Sequence, residues 1–150
     1  MGESKSAWIV SCSHSGGTNW GEIKSWTGIS GTTVKMISMK ENTKTSFKFN
    51  TLKDEMLICI AGEVKAYYGD SNIIRKQKGD LSINILCQGQ ALIVQSECPY
   101  RLEAVKDSII IEVSSGTEGV VRLLDDYGRK TEDLDNNKNL RLLINRKHVN

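Results

Sequence analysis

Four cysteines, two histidines and an acidic run near the C-terminus are the first places to look for chemistry. Cys12, Cys59, Cys87 and Cys98 contain no C-x-x-C pair, so neither a zinc ribbon nor a thioredoxin-type site is indicated. Cys59 lies in an apolar run and reads as a small core residue. His14 sits in a Ser/Gly stretch, residues 11–17, that lacks the Gly-Lys-Ser/Thr ending of a phosphate loop. It reads as a solvated loop histidine. Asp133, Asp135 and Asn137 resemble the start of a calcium loop. Lys138 stands where that loop needs Gly, and Ile144 where it needs Glu, so calcium binding is not expected. Gly2 fits the N-myristoylation pattern formally, but acidic Glu3 follows it, and the N-terminus reads as a flexible polar segment. What remains is residues 47–63. There Lys48 and Asn50 share one strand parity, and Phe47 and Phe49 share the other.

The elements around these residues read as short strands. Residues 47–50 and 55–61 form two of them, joined by a polar turn and closed by Gly62. The second is a nearly unbroken apolar run, as expected of a strand covered on both faces. Residues 7–12 suggest a first strand, and Trp20 and Trp26 flank another. Residues 34–40 alternate like a half-buried strand. Further strands are expected at 64–68, 82–87, 91–95, 100–105 and 109–114. Gly69-Asp70-Ser71-Asn72 signals a turn, with Ile73 and Ile74 opening the return strand. Residues 119–126 suggest a short helix. About ten short strands with polar turns, and no long stretch of helical period, predict an all-β jelly-roll barrel or sandwich.

Two blocks sharpen this. The first carries Lys53-Asp54-Glu55 before a strand and Gly62. The second carries Glu103-Ala104-Val105-Lys106-Asp107-Ser108, then Glu112-Val113-Ser114. In this order and spacing they resemble the two motifs of the cupin superfamily, most closely small cupins similar to mannose-6-phosphate isomerase. Asn19-Trp20-Gly21, Lys78-Gly79-Asp80, Val120-Val121-Arg122-Leu123 and Asp125-Asp126-Tyr127-Gly128-Arg129 extend the resemblance over residues 19–129. It implies a single cupin barrel at 19–129, preceded by an N-terminal segment (1–18) and followed by a polar loop and C-terminal segment (130–150).

Cupins usually hold a divalent metal through two residues at i and i+2 on one strand, a Glu after the turn and a His in the second motif. The resemblance places Lys48, Asn50, Glu55 and Tyr100 at these positions. One good ligand of four remains. An ammonium repels a cation, and Asn50 and Tyr100 are weak ligands, so no tightly held divalent metal and no other cofactor is expected. Lys48 is expected to pair with Glu55, with Tyr100 filling the space beside them. Either these side chains plug the interior, or Lys48, Asn50, Glu55 and Tyr100 form a pocket for a small polar ligand, a sugar phosphate being the class the resemblance implies. The alternatives are an active sugar-phosphate isomerase, with Glu55 as base and Lys48 as electrophile, and a structural or assembly protein.

The chain has 150 residues, 39% of them hydrophobic and 25% charged, enough for one cored unit. The net charge of +2, with basic residues scattered, predicts no nucleic-acid partner. No run approaches a membrane span or a signal-peptide core, so a cytoplasmic location without disulfides is expected. Inward Lys48 and Asn50 put Phe47 and Phe49 outside, and inward Glu55 puts Met56, Ile58 and Ile60 outside. These five apolar side chains are expected to share one outer face. That face needs a cover, from the segment bearing Trp8, Trp20 and Trp26 or from a second copy. Cupins pair through this sheet, so the resemblance implies a two-fold homodimer.

Overall fold

The computed structural model describes residues 2–131. Asp133, Asp135, Asn137, His148 and the rest of the C-terminal segment from residue 132 on lie outside the described residues. The strands in chain order are β1 (His14–Thr18), β2 (Gly21–Thr27), β3 (Thr32–Met39), β4 (Phe47–Asn50), β5 (Lys53–Ala61) and β6 (Glu63–Tyr68). One helical turn, α1 (Asn72–Arg75), precedes β7 (Ser82–Cys87), β8 (Ala91–Val94), β9 (Tyr100–Ala104), β10 (Ser108–Gly116) and β11 (Val120–Leu124).

Two antiparallel sheets face each other. One has the order β1-β2-β3-β10-β5-β8, the other β11-β4-β9-β6-β7. The chain switches sheets at Thr51–Leu52 and again at Gly62. Gly62 has φ +86, and a Cβ there would stand 2.7 Å from Ser108 Cα, so only glycine fits this corner. Strand alternation sends Ile37, Met39, Leu57, Cys59 and Ile110 inward from the first sheet. Val64, Ala66, Leu86, Leu102 and Ala104 meet them from the second.

The outer faces differ. Phe47 and Phe49 do point away from Lys48 and Asn50, but they are buried with Leu123 under Ile73 and Leu81. Each ring buried this way is worth about 1.5–3 kcal/mol. The cover is therefore α1 and the segment after it, where a return strand was expected. The turn after β4 carries β5 into the other sheet, so Met56, Ile58 and Ile60 do not join the phenylalanines in one patch. They lie on the outer face of the six-stranded sheet, where Met56 and Ile60 are exposed.

Three other expectations are corrected. Residues 7–12 pair with no strand, and sheet pairing begins at His14, inside the presumed Ser/Gly loop. The glycines there are tolerated because β1 is an edge strand with a single neighbour, β2. Residues 120–124 form β11 and not a helix, since pairing with β4 satisfies the backbone and buries Leu123. Of the three tryptophans, Trp20 is in the barrel core, Trp8 is exposed and Trp26 lies on the outer face of the six-stranded sheet.

Candidate functional site

Six strands place polar side chains at one end of the barrel interior. β4 supplies Lys48 and Asn50 at i and i+2, and β5 supplies Lys53 and Glu55 at the same spacing. Tyr100 opens β9 opposite Lys48. Glu112 on β10 stands opposite Lys35 on β3. Arg122 on β11 stands opposite Lys48. All of these but Tyr100, with Glu118, Arg129 and the rims Trp20, Ile23, Thr45, Ser46 and Val120, line a cavity of about 180 Å³. A wider depression of about 710 Å³ lies between Gly16, Lys40 and Asp107, but it is an open surface feature without the converging buried charges.

Glu55 is the hub. It is buried, and its carboxyl accepts from Asn50 Nδ2 and, at 2.7 Å, from Tyr100 OH. Burial, a hydrogen bond shared with Glu112 and the Glu112 charge push its pKa up to about 7 against the pull of Tyr100 and Lys48. Burial also pushes Glu112 up, but the hydrogen bond from Glu55 and the lysines Lys53, Lys35 and Lys48 outweigh it and hold Glu112 below the ordinary range. The two acids thus share one proton, carried by Glu55. Burial raises the Tyr100 phenol well above its usual value, so it stays a donor.

The expected Lys48–Glu55 ion pair is not formed. Lys48 Nζ instead sits 5.7 Å from the centre of the Tyr100 ring, a cation–π contact. Burial lowers the Lys48 pKa, and Glu112 and Glu55 only partly restore it. Asn50 and Tyr100 occupy the oxygens of Glu55 that Lys48 would need.

The other lysines are paired. Lys53 is 5% exposed and lies 3.9 Å from Glu112 and 3.7 Å from Glu118. Lys35 lies 3.9 Å from Glu112 and 3.2 Å from Glu118. Arg129 pairs with Asp125 at 2.8 Å. Lys48 and Arg122 have no carboxylate within 4 Å among the described residues. Arg122 Nε and Asn50 Oδ1 are buried without a hydrogen-bond partner.

The four sequence-derived positions do converge. As a donor set they fit a divalent cation poorly: one carboxylate whose two oxygens already accept bonds, an ammonium, an amide and a phenol held protonated. Among the described residues, no group of three or more His, Cys, Asp or Glu could hold a metal ion. Of the two histidines, His14 belongs to β1 and His148 lies outside the described residues. Sequence reasoning missed Lys35, Lys53, Glu112, Glu118, Arg122 and Arg129 as site residues. A signal existed for two of them. Lys53 shares the parity of Glu55, and Glu112 is a lone charge inside the apolar run Ile109-Ile110-Ile111-Glu112-Val113.

No protein-family model matches the chain, and no curated protein matches it. Solved structures do resemble it. Procruciferin, an 11S globulin from Brassica napus, is similar over 84% of this chain and 35% of its own, at TM-score 0.65 and 16% identity. Oxalate decarboxylase from Bacillus subtilis is similar over 79% of this chain and 33% of its own, at TM-score 0.62 and 12% identity. KdgF from Halomonas sp. is similar over 65% of this chain and 79% of its own, at TM-score 0.55 and 11% identity. The chain spans about a third of the length of the first two. These neighbours are cupin-fold proteins, and the fold of this chain is the cupin jelly roll.

Proposed function

We propose that this cupin-fold chain binds a small anionic polar ligand, of the sugar-phosphate kind, at the polar end of its barrel and without a catalytic metal. One observation carries the reading. Lys48 and Arg122 stand side by side on β4 and β11, face the cavity, and have no carboxylate partner among the described residues. Two neighbouring cations in a closed site are costly unless an anion joins them. An oxyanion there would also accept the orphaned Arg122 Nε–H. The cavity of about 180 Å³ is smaller than the roughly 300 Å³ at which drug-sized pockets begin, which favours a compact ligand or the acid end of a longer one. Thermal melting with mannose 6-phosphate, against mannose as the uncharged control, tests this. Stabilisation by the phosphate alone is expected, and equal shifts would refute it.

An isomerase is the second reading. Glu55, with a pKa near 7, suits a general base at neutral pH. Each of its two oxygens, however, already accepts a bond, from Asn50 and from Tyr100, which ties the carboxyl to the barrel wall rather than to a substrate. An assay of aldose–ketose interconversion on mannose 6-phosphate is expected to show only the background rate. Metal-independent turnover abolished by Glu55→Gln would establish the enzyme instead.

The outer face of the six-stranded sheet supports a homodimer. Trp26, Val34, Val113, Met56 and Ile93 form one row across five strands. Lys24, Met36, Ile111, Ile58 and Ala91 form the next. Five strands at ~4.8 Å spacing and ~20 Å of strand length give a face of roughly 500 Å² in projection. Side-chain relief brings this near the ~800 Å² per partner of a stable interface, so a second copy is the occupant. Light scattering at micromolar concentration is expected to give twice 16.7 kDa, and Ile93→Asp the monomer. A monomeric wild-type chain would end this assignment.

A further inference from the structure

The geometry points to a ligand with two acidic groups: one held by Lys48 and Arg122, the other by Lys35 and Lys53 in the place now taken by the Glu118 carboxylate. This rests on the anion-site reading above and specifies its ligand class. Glu118 differs from the other acids of the cavity. Glu55 and Glu112 are buried and come from strand interiors, whereas Glu118 is 67% exposed and reaches in from the short link between β10 and β11. Its carboxylate bridges the two lysines, at 3.2 Å from Lys35 and 3.7 Å from Lys53.

That arrangement is what an internal stand-in for a ligand acid looks like. The receiving cations are fixed: Lys53 is buried at the start of β5, and Lys35 is held against Glu112. The occupant is not. The link is anchored at both ends, by Gly116 N–H to Gly31 O at 3.0 Å and by Thr51 N–H to Gly119 O at 3.0 Å. Only Thr117 and Glu118 lie between, both exposed. Glu118 can therefore swing into water by side-chain rotation with the barrel unchanged, giving up its contacts to Lys35 and to the buried Lys53. The same departure leaves Lys35 and Lys53 with Glu112 alone. A ligand carboxylate or phosphate entering there meets the charge that Glu118 now offsets. Lys48, Arg122, Lys35 and Lys53 all line the one cavity, and Lys35 lies close enough to Lys48 to affect its ionisation. One compact molecule can thus reach both pairs.

The test titrates wild type and E118Q calorimetrically with succinate, 2-phosphoglycolate and butyrate. Removing the competing carboxylate is expected to tighten one or both two-acid probes by about fivefold or more, and butyrate by less than about twofold. The probe that gains more tells a dicarboxylate from a carboxylate–phosphate ligand. Adding Lys35→Met to E118Q is expected to cancel the gain. No gain, an equal gain for all three probes, or a gain that survives Lys35→Met overturns the two-acid inference and leaves the anion site standing. Binding of no probe by either protein overturns the anion-site reading and this inference with it. Glu118 is exposed, so E118Q is expected to fold as wild type does.

Discussion

The two ends of the barrel interior share four strands, β3, β5, β9 and β10, and differ in almost everything else. Along β5 the inward residues run Lys53, Glu55, then Leu57, Cys59. Along β10 they run Ser114, Glu112, then Ile110, and along β9 Tyr100, then Leu102 and Ala104. On β3 the change falls between Lys35 and Ile37. On these four strands the change falls within about one rung, Glu112 standing opposite Leu57, so the boundary belongs to several strands and not to one segment. The apolar end follows from burial alone. The polar end places charges where apolar side chains would pack at least as well, which is how binding sites differ from cores.

The difference is testable through stability. Glu112→Ala leaves the buried Lys53 with only the exposed Glu118 carboxylate as a partner, and a loss of about 3–5 kcal/mol in a denaturant melt is expected. A loss below about 1 kcal/mol would mean that water reaches the site freely. At the other end, Leu57→Ala is expected to cost about 2–5 kcal/mol through lost burial and a cavity, whereas Leu57→Met stays below about 1.5 kcal/mol. The polar end has no such tolerant substitution for Glu112.

Glu55 gives the pH signature. Its folded pKa, about 7, lies above its ordinary value of 4.5, so the native state holds the proton more tightly than the unfolded chain. The stability it contributes is complete below 4.5 and is lost as pH rises to about 7. Glu112, held low, acts oppositely and loses its contribution only as pH falls below the ordinary range. Across that window Glu55→Gln is expected to flatten the fall by on the order of 2–3 kcal/mol. An unchanged slope would contradict the shared proton. The smallest effect belongs to Tyr100→Phe. It removes one hydrogen bond to Glu55 and is expected to cost about 1–2 kcal/mol while leaving the ring under Lys48. No measurable change would place the phenol outside the network.

The sequence made the fold legible because its signals are local. Turn glycines, alternation and the two motif blocks locate β2 to β10, and parity read together with the cupin resemblance turns Lys48, Asn50 and Glu55 inward. Signals that depend on the other sheet were missed. Ile73 and Ile74 read as a strand start, yet they cap Phe47 and Phe49 from outside as a helical turn. Residues 7–12 have strand-forming side chains, but none of the described strands includes them. The five-residue apolar patch dissolved because parity says which side a residue faces but not which sheet its strand joins. At the site, sequence found the four positions of the resemblance and missed others, among them Lys35 and Arg122, which arrive from distant strands through register, and Glu118, which reaches in from a link between strands. The expected Lys48–Glu55 pair failed for a related reason. Charge attraction was counted, and the competing donors Asn50 and Tyr100 were not.

The most direct test of the central claim is a calorimetric titration of chelator-treated protein with mannose 6-phosphate at two ionic strengths. Binding is predicted to persist without metal and to weaken as salt screens Lys48 and Arg122. Binding that appears only after a divalent cation is restored would contradict the account.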